Sequence, residues 1–239
     1  MSGIENRGNT CFAAAVIQLL RYCKPLVRLD LEYEDEILQA FTNSLYHGFS
    51  VTPLLDQLPA LGYAKHEQHD AHEFMMQMVD KMFPNENPFE GQITSILECK
   101  HGHTSITKYG VSSLLVQGDV CEGLVAYGVP ERVDAKCETC RCALDKGMSV
   151  TCGQVLLVRI ARFSYDRGKL NHVVRIPPVI KNERDMHLVG VIHHEGTLDS
   201  GHYMASVKTD DGWKLVNDEF VTDTHMPQHS SSAYVLMYV

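Results

Sequence analysis

The sequence predicts an α+β fold, because helical periodicity fills the first third of the chain and short β-rich runs fill the rest. No linker rich in Pro, Gly or Ser divides the two parts, and no internal repeat or low-complexity tract appears. The 239 residues are 44% hydrophobic and 21% charged, ordinary globular usage that suffices for one large core or two smaller lobes.

The helices come first. Residues 11–22 carry an apolar run that Pro25 ends. Residues 32–46 set Ile37, Leu38, Phe41 and Leu45 at helical spacing, with a stop at Gly48. Residues 70–83 align Phe74, Met75, Met78, Val79 and Met82 before Pro84, a stripe that reads as core. Beyond residue 91 the runs 93–96, 111–116, 148–160, 172–176, 187–193, 202–208, 213–216 and 234–239 read as strands.

Thirty acidic against 21 basic residues give a net charge of −9, which argues against a nucleic-acid partner and suits a basic one. No basic-then-apolar leader opens the chain, and no apolar run approaches the ~18 residues that span a bilayer. Secretion and membrane partners are therefore not expected, and the expected compartment is cytoplasm or nucleus. Eight cysteines in that setting read as reduced thiols or metal ligands rather than a disulfide framework. Cys23, Cys121 and Cys152 read as buried or incidental.

Cys11 stands apart. Two glycines and two asparagines crowd it in the stretch Gly3 to Phe12, just before the apolar run at residues 13–17. At a helix start the unpaired N–H groups favour thiolate over thiol, so a lowered pKa is expected there. Downstream, Gly201-His202-Tyr203 and Trp213 to Asp218 supply a histidine and an amide. Cysteine catalysis needs a histidine base and an orienting Asn or Asp, which meet in space rather than in sequence. A turn at Asp210-Asp211-Gly212 joins two strands that would bring His202 and Asn217 together.

In its separated blocks the chain resembles the ubiquitin-specific proteases, papain-like cysteine peptidases that cut after the C-terminal glycine of ubiquitin. The blocks are the cysteine stretch Gly3 to Phe12 with Gln18 and Leu20, then Gln68-His69-Asp70-Ala71-His72-Glu73-Phe74, then Leu156 to Phe163 with Lys169-Leu170 and Val174 to Pro177, and finally Gly190 to Val221. They stand in family order over nearly the whole chain. The resemblance implies one catalytic domain over 1–239: a helical thumb lobe over about 1–90, β-ribbon fingers over about 91–160 and a β-rich palm over about 155–239. It also implies the triad Cys11, His202 and Asn217, with Asn6 at the oxyanion position and Asp218 as a possible assistant. His194 is a weaker candidate base.

Gln68, Asp70 and Glu73 crowd the start of the third helix, where Asp70 fits an N-cap and Glu73 the returning carboxylate of a capping box. By resemblance Asp70 holds the arginine-bearing tail of ubiquitin, with Gln68 and Glu73 beside the cleft. Gly201, Gly196 and Tyr203 border the substrate glycines, although Gly-rich turn chemistry accounts for the glycines equally well.

A second constellation is Cys137-x-x-Cys140, a spacing that lets two thiolates grip one tetrahedral Zn²⁺. The resemblance implies a second pair at the tips of the fingers, and Cys99-Lys100-His101-Gly102-His103 occupies its place. The expected site is structural Cys3His zinc from Cys99, Cys137, Cys140 and His101, with His103 as an alternative by its C-x3-H spacing and Cys142 as a substitute for either neighbour. The expected partners are ubiquitin or ubiquitinated proteins and a regulatory or targeting subunit. A catalytically silent ubiquitin-binding module and a peptidase for a ubiquitin-like modifier are the competing readings.

Overall fold

The structure is a computed structural model that describes residues 2–23, 26, 35–46, 52–64, 67–164, 166, 168–197 and 200–239. The expected helix stops at Pro25 and Gly48, and residues 32–34 of the expected second helix, lie outside the described residues.

The helices are α1 (Cys11–Arg21), α2 (Glu36–Tyr46), α3 (Thr52–Gln57) with a 3-10 turn at Leu58–Leu61, α4 (Ala71–Met82) and α5 (Val120–Ala126). The strands are β1 (Gly91–Cys99), β2 (Thr104–Val111), β3 (Leu114–Val116), β4 (Glu131–Lys136), β5 (Ala143–Thr151), β6 (Leu156–Ile160), β7 (Phe163–Ser164) and β8 (Gly168–Lys169). There follow β9 (Val174–Arg175), β10 (Val179–Lys181), β11 (Asp185–Gly196), β12 (Gly201–Thr209), β13 (Gly212–Asn217), β14 (Phe220–Thr224), β15 (His229–Ser230) and β16 (Ala233–Tyr238).

Helix α1 is interior: every residue from Cys11 to Leu20 is buried, with Gln18 its one buried polar side chain, donating to the Ser2 carbonyl. It lies between α2 and α4 on one side and β12 on the other. Helix α4 buries the expected stripe of Phe74, Met75, Met78, Val79 and Met82, and Asp70 caps it by accepting from the His72 and Glu73 N–H groups. One core joins these helices to Ile192, Tyr203, Ala205, Val207 and Val216 of the palm. A second core, on Val158, Ile160, Val191 and Leu236, packs beneath β3 and α5 and takes in Trp213.

The palm sheet runs β14-β13-β12-β11-β16-β6-β3, with β10 pairing β11, and only β3–β6 is parallel. The fingers are a separate antiparallel sheet in the order β2-β1-β5-β4. The segment expected to form fingers over about 91–160 therefore divides, since β3 and β6 pair with each other in the palm. The expected strand over 111–116 breaks between β2 and β3, and the run over 148–160 covers the end of β5 and all of β6. Strands β2 and β4 escape periodicity because nearly all their residues are exposed on both faces, leaving no alternation to read.

One buried cation ties the palm together. Arg162, 1% exposed, donates to the carbonyls of Ala233, Leu170, His172 and Ser230 at 2.6–3.2 Å. Among the described residues no helix is long and apolar enough to cross a membrane.

Candidate active site and metal centre

The nucleophile candidate and its partners come from different lobes. Cys11 is the first residue of α1, His202 sits near the start of β12, and Asn217 ends β13. The β12–β13 hairpin brings the last two together: His202 Nε2–H donates to Asn217 Oδ1 at 2.6 Å. That bond fixes the tautomer and leaves Nδ1 free of the amide.

The amino-terminal segment is zipped onto the following turn. Ile4 N–H donates to the Asp218 carbonyl at 2.8 Å, and a Cβ on Gly3 would lie 2.3 Å from the Glu219 carbonyl, so only glycine passes there. Asn6 Oδ1 accepts from the Gly8 N–H and from the N–H and hydroxyl of Thr10, at 3.0–3.3 Å. Its Nδ2 donates to Asp218 Oδ2 at 3.0 Å, which occupies one of the two amide hydrogens. That same Oδ2 is 3.8 Å from His202 Nε2, while the other carboxylate oxygen of Asp218 is buried without a hydrogen-bond partner among the described residues.

The Cys11 thiol departs from expectation. Its pKa is raised, not lowered, because burial outweighs the helix start; the Tyr203, Phe12 and Cys11 backbone N–H groups pull it down, while the Asp218 charge pushes it further up.

Gln68 Nε2 donates to Asn9 Oδ1 at 2.9 Å, pinning the residue whose φ of 56° turns the loop before Cys11. Asp70 uses one oxygen as the α4 cap, and the other accepts from the Tyr234 hydroxyl. Glu73 stays exposed and adds its backbone N–H to that cap. Tyr203 is buried against His194, ring centroids 4.6 Å apart.

Gly201 answers to packing: an added Cβ would stand 2.0 Å from His194 Nε2. His194 is 3% exposed, and its pKa is lowered to about 4, first by burial and then by Lys169. A general base near neutral pH needs a higher value, which disfavours His194 for that part. A cavity of about 360 Å³ opens between Arg7–Phe12 and the 55–64 segment, but Cys11 is not in its wall.

At the far end of the fingers the β1–β2 and β4–β5 turns lie together, since Cys99 pairs with Leu144. Cys99, His103, Cys137 and Cys140 place their ligand atoms within 4.8 Å of one another. His103 Nδ1 is 3.5 Å from the sulfurs of both Cys99 and Cys137, and Cys99 Sγ is 3.5 Å from Cys140 Sγ. The favoured His101 is thus replaced by His103. The tight turn bonds Cys99 N–H to the His103 carbonyl, which brings His103 beside Cys99 and leaves His101 in the turn, where it groups with Cys140 and Cys142. The Cys140 and Thr139 N–H groups, with the Cys140 and His103 side chains, lower the Cys137 thiol to about 6 against its partial desolvation. Donor set and spacing fit a soft divalent metal.

A helical lobe, a largely antiparallel palm and a four-stranded ribbon, with a thiol at the junction of the first two, define a thumb–palm–fingers domain. The chain belongs to the family described as ubiquitin carboxyl-terminal hydrolase, whose model matches residues 2–238. It is 27% identical over 296 residues to human ubiquitin carboxyl-terminal hydrolase 17-like protein 5, covering 100% of this chain and 56% of that protein. Human 17-like protein 6 is 28% identical, with 100% and 74% covered. The chain thus spans about half the length of the first of these relatives. Among solved structures, a chain of the SAGA DUB module Ubp8/Sgf11/Sus1/Sgf73 bound to monoubiquitin superposes with TM-score 0.83 at 22% identity, covering 100% of this chain and 69% of that one. The same module bound to ubiquitin aldehyde gives 0.81 at 20% identity, with 100% and 69% covered, and so supports the fold.

Proposed function

We propose that the chain is a cysteine-type deubiquitinase that hydrolyses the peptide or isopeptide bond after the C-terminal glycine of ubiquitin. The observation that carries this reading is the His202–Asn217 bond, set on the palm strand that packs against the helix headed by Cys11. His202 takes the Cys11 proton, through Nδ1 since Nε2 is committed to Asn217, when the substrate arrives. The thiolate attacks the glycine carbonyl, a thioester forms as His202 protonates the leaving amine, and water hydrolyses it. The second amide hydrogen of Asn6 and the Cys11 backbone N–H serve the developing oxyanion. Asp218 assists by holding Asn6 in place.

Asp70 receives an arginine of the ubiquitin tail, because a carboxylate has lone pairs to spare beyond the cap and Tyr234. Gln68, Glu73, Gly201 and Tyr203 border the path of that tail and its terminal glycines. The inner fingertip residues Cys99, His103, Cys137 and Cys140 hold a structural zinc, which supplies cross-linking of the two turns and no catalytic step. The solved structures of this fold are modules that hold further proteins, and a regulatory or targeting subunit is proposed by that analogy. Cytoplasm or nucleus is the proposed location.

The test is reaction with a ubiquitin C-terminal electrophile, read by intact mass and peptide mapping. A single adduct on Cys11, absent in Cys11→Ala, is expected. No adduct would leave a silent binding module, and preference for a ubiquitin-like modifier's electrophile would move the substrate class.

A further inference from the structure

We propose that the fingertip binds two metal ions, with Cys140 as a bridging thiolate between them. The inner ion takes Cys99, His103, Cys137 and Cys140, and this inference rests on that reading of the inner site. The outer, solvent-facing ion takes Cys140, Cys142 and His101.

The two ligand groups have one atom in common. Cys140 Sγ belongs to both, and in each group all ligand atoms lie within 4.8 Å of one another. The inner edges of 3.5 Å are close to the ~3.8 Å edge of a tetrahedron with zinc–sulfur bonds of about 2.3 Å. The outer trio is compact enough for one ion to reach every member. It leaves a fourth position for water.

The turn between β4 and β5 is shaped to return Cys142 to the cluster. Arg141 adopts the left-handed conformation at φ 59°, its N–H donates to the Cys137 carbonyl, and Cys137 N–H donates to the Cys142 carbonyl, both at 2.8 Å. An extended chain would have continued straight into β5. Because His101 sits in the opposing turn, the outer trio joins the two hairpins as the inner four do, with Cys140 common to both.

The outer group is half-buried to exposed, so its ion exchanges with solvent more readily than the inner one.

The full chain, stripped of loosely held metal, is titrated with Zn²⁺, and bound equivalents are counted by native mass spectrometry. Two equivalents are expected, the second weaker, and Cys142→Ala and His101→Ala each reduce two to one. In a parallel Co²⁺ titration the second equivalent adds thiolate-to-metal charge-transfer absorbance, which Cys142→Ala diminishes. One equivalent in the unaltered chain overturns the outer site alone, as do two equivalents that survive both substitutions. No bound zinc overturns the inner site as well.

Discussion

Gly201→Ala probes the site through a single methyl group. The added carbon would stand 2.0 Å from His194 Nε2, 2.7 Å from Cε1 and 3.0 Å from the Glu195 carbonyl oxygen. His194 has nowhere to retreat. Its ring lies between Phe163 and Tyr203, its carbonyl accepts from the Lys169 ammonium and its N–H donates to Ser232. The start of β12 must yield instead, by about 1 Å to regain even a tight contact, and overpacking of this kind costs ~1–3 kcal/mol. His202 is the next residue. A displacement of about 1 Å in a catalytic group costs on the order of 10²-fold in rate. Hydrolysis of a fluorogenic ubiquitin C-terminal amide, run beside thermal unfolding, therefore shows kcat/KM down by about that factor and a lowered Tm. His194→Ala removes the obstacle, so in the double variant the two losses fall short of their sum, with a coupling of ~0.5–3 kcal/mol. Wild-type activity in Gly201→Ala, or strictly additive losses in the double variant, would refute the steric argument; a double variant without any turnover would instead make His194 the base.

Asn6→Ala removes a proposed oxyanion donor and leaves Asp218 Oδ2 without its amide, so kcat for the same substrate falls by ~10²–10³ with KM little changed. An equal fall on replacing Asp218 with Ala, together with a smaller one for Asn6→Ala, would reverse the assignment. His193, buried between Ser206 and Ser232, has its pKa lowered by burial from 6.5 to about 4. Its folded pKa lies below the unfolded one, so the unfolded chain binds more protons between pH 6.5 and 4, and stability falls as pH drops through that window. Denaturant titrations at pH 7.5 and 5 measure this, and His193→Gln has a flatter profile. Arg162→Lys keeps one charge but loses the planar fork that meets four carbonyls, and the unsatisfied groups destabilise the palm by ~3 kcal/mol or more, seen as a lower denaturation midpoint.

What the sequence made legible is what depends on near neighbours. The stripe of α4, its Asp70 cap and the β12–β13 hairpin follow from spacing and turn residues within a few positions of each other. The features it hid depend on distant chain. Cys11 was expected to ionise readily from its helix start, but the burial that raises it comes from the packing of β12 on α1, beyond local reading. The second Asp70 oxygen is engaged by Tyr234, which arrives from the last strand. His103 displaces His101 because of a hairpin closure, a matter of which residues face each other across a turn and not of ligand count. Helix α5 is one short segment capped by Asp119, too brief for a periodic signal.

The division of the site between two lobes has a mechanical consequence. Cys11 is carried by an interior helix, whereas His202 and Asn217 belong to the palm, and the two share one hydrophobic core. Above that core, a set of smaller contacts ties the loop before Cys11 to the palm. Gly3 and Ile4 lie on the Asp218-Glu219 turn, Asn6 bonds Asp218, and the Tyr203 backbone approaches the thiol. The same Asn6 whose Oδ1 organises the loop before Cys11 thereby reaches, through Nδ2, the carboxylate beside His202. Loss of that one amide loosens the loop that would bind the oxyanion against the strand that would supply the base, leaving only the Gly3 and Ile4 backbone contacts. Its cost then exceeds that of a single hydrogen bond, because two preorganised elements lose their common reference.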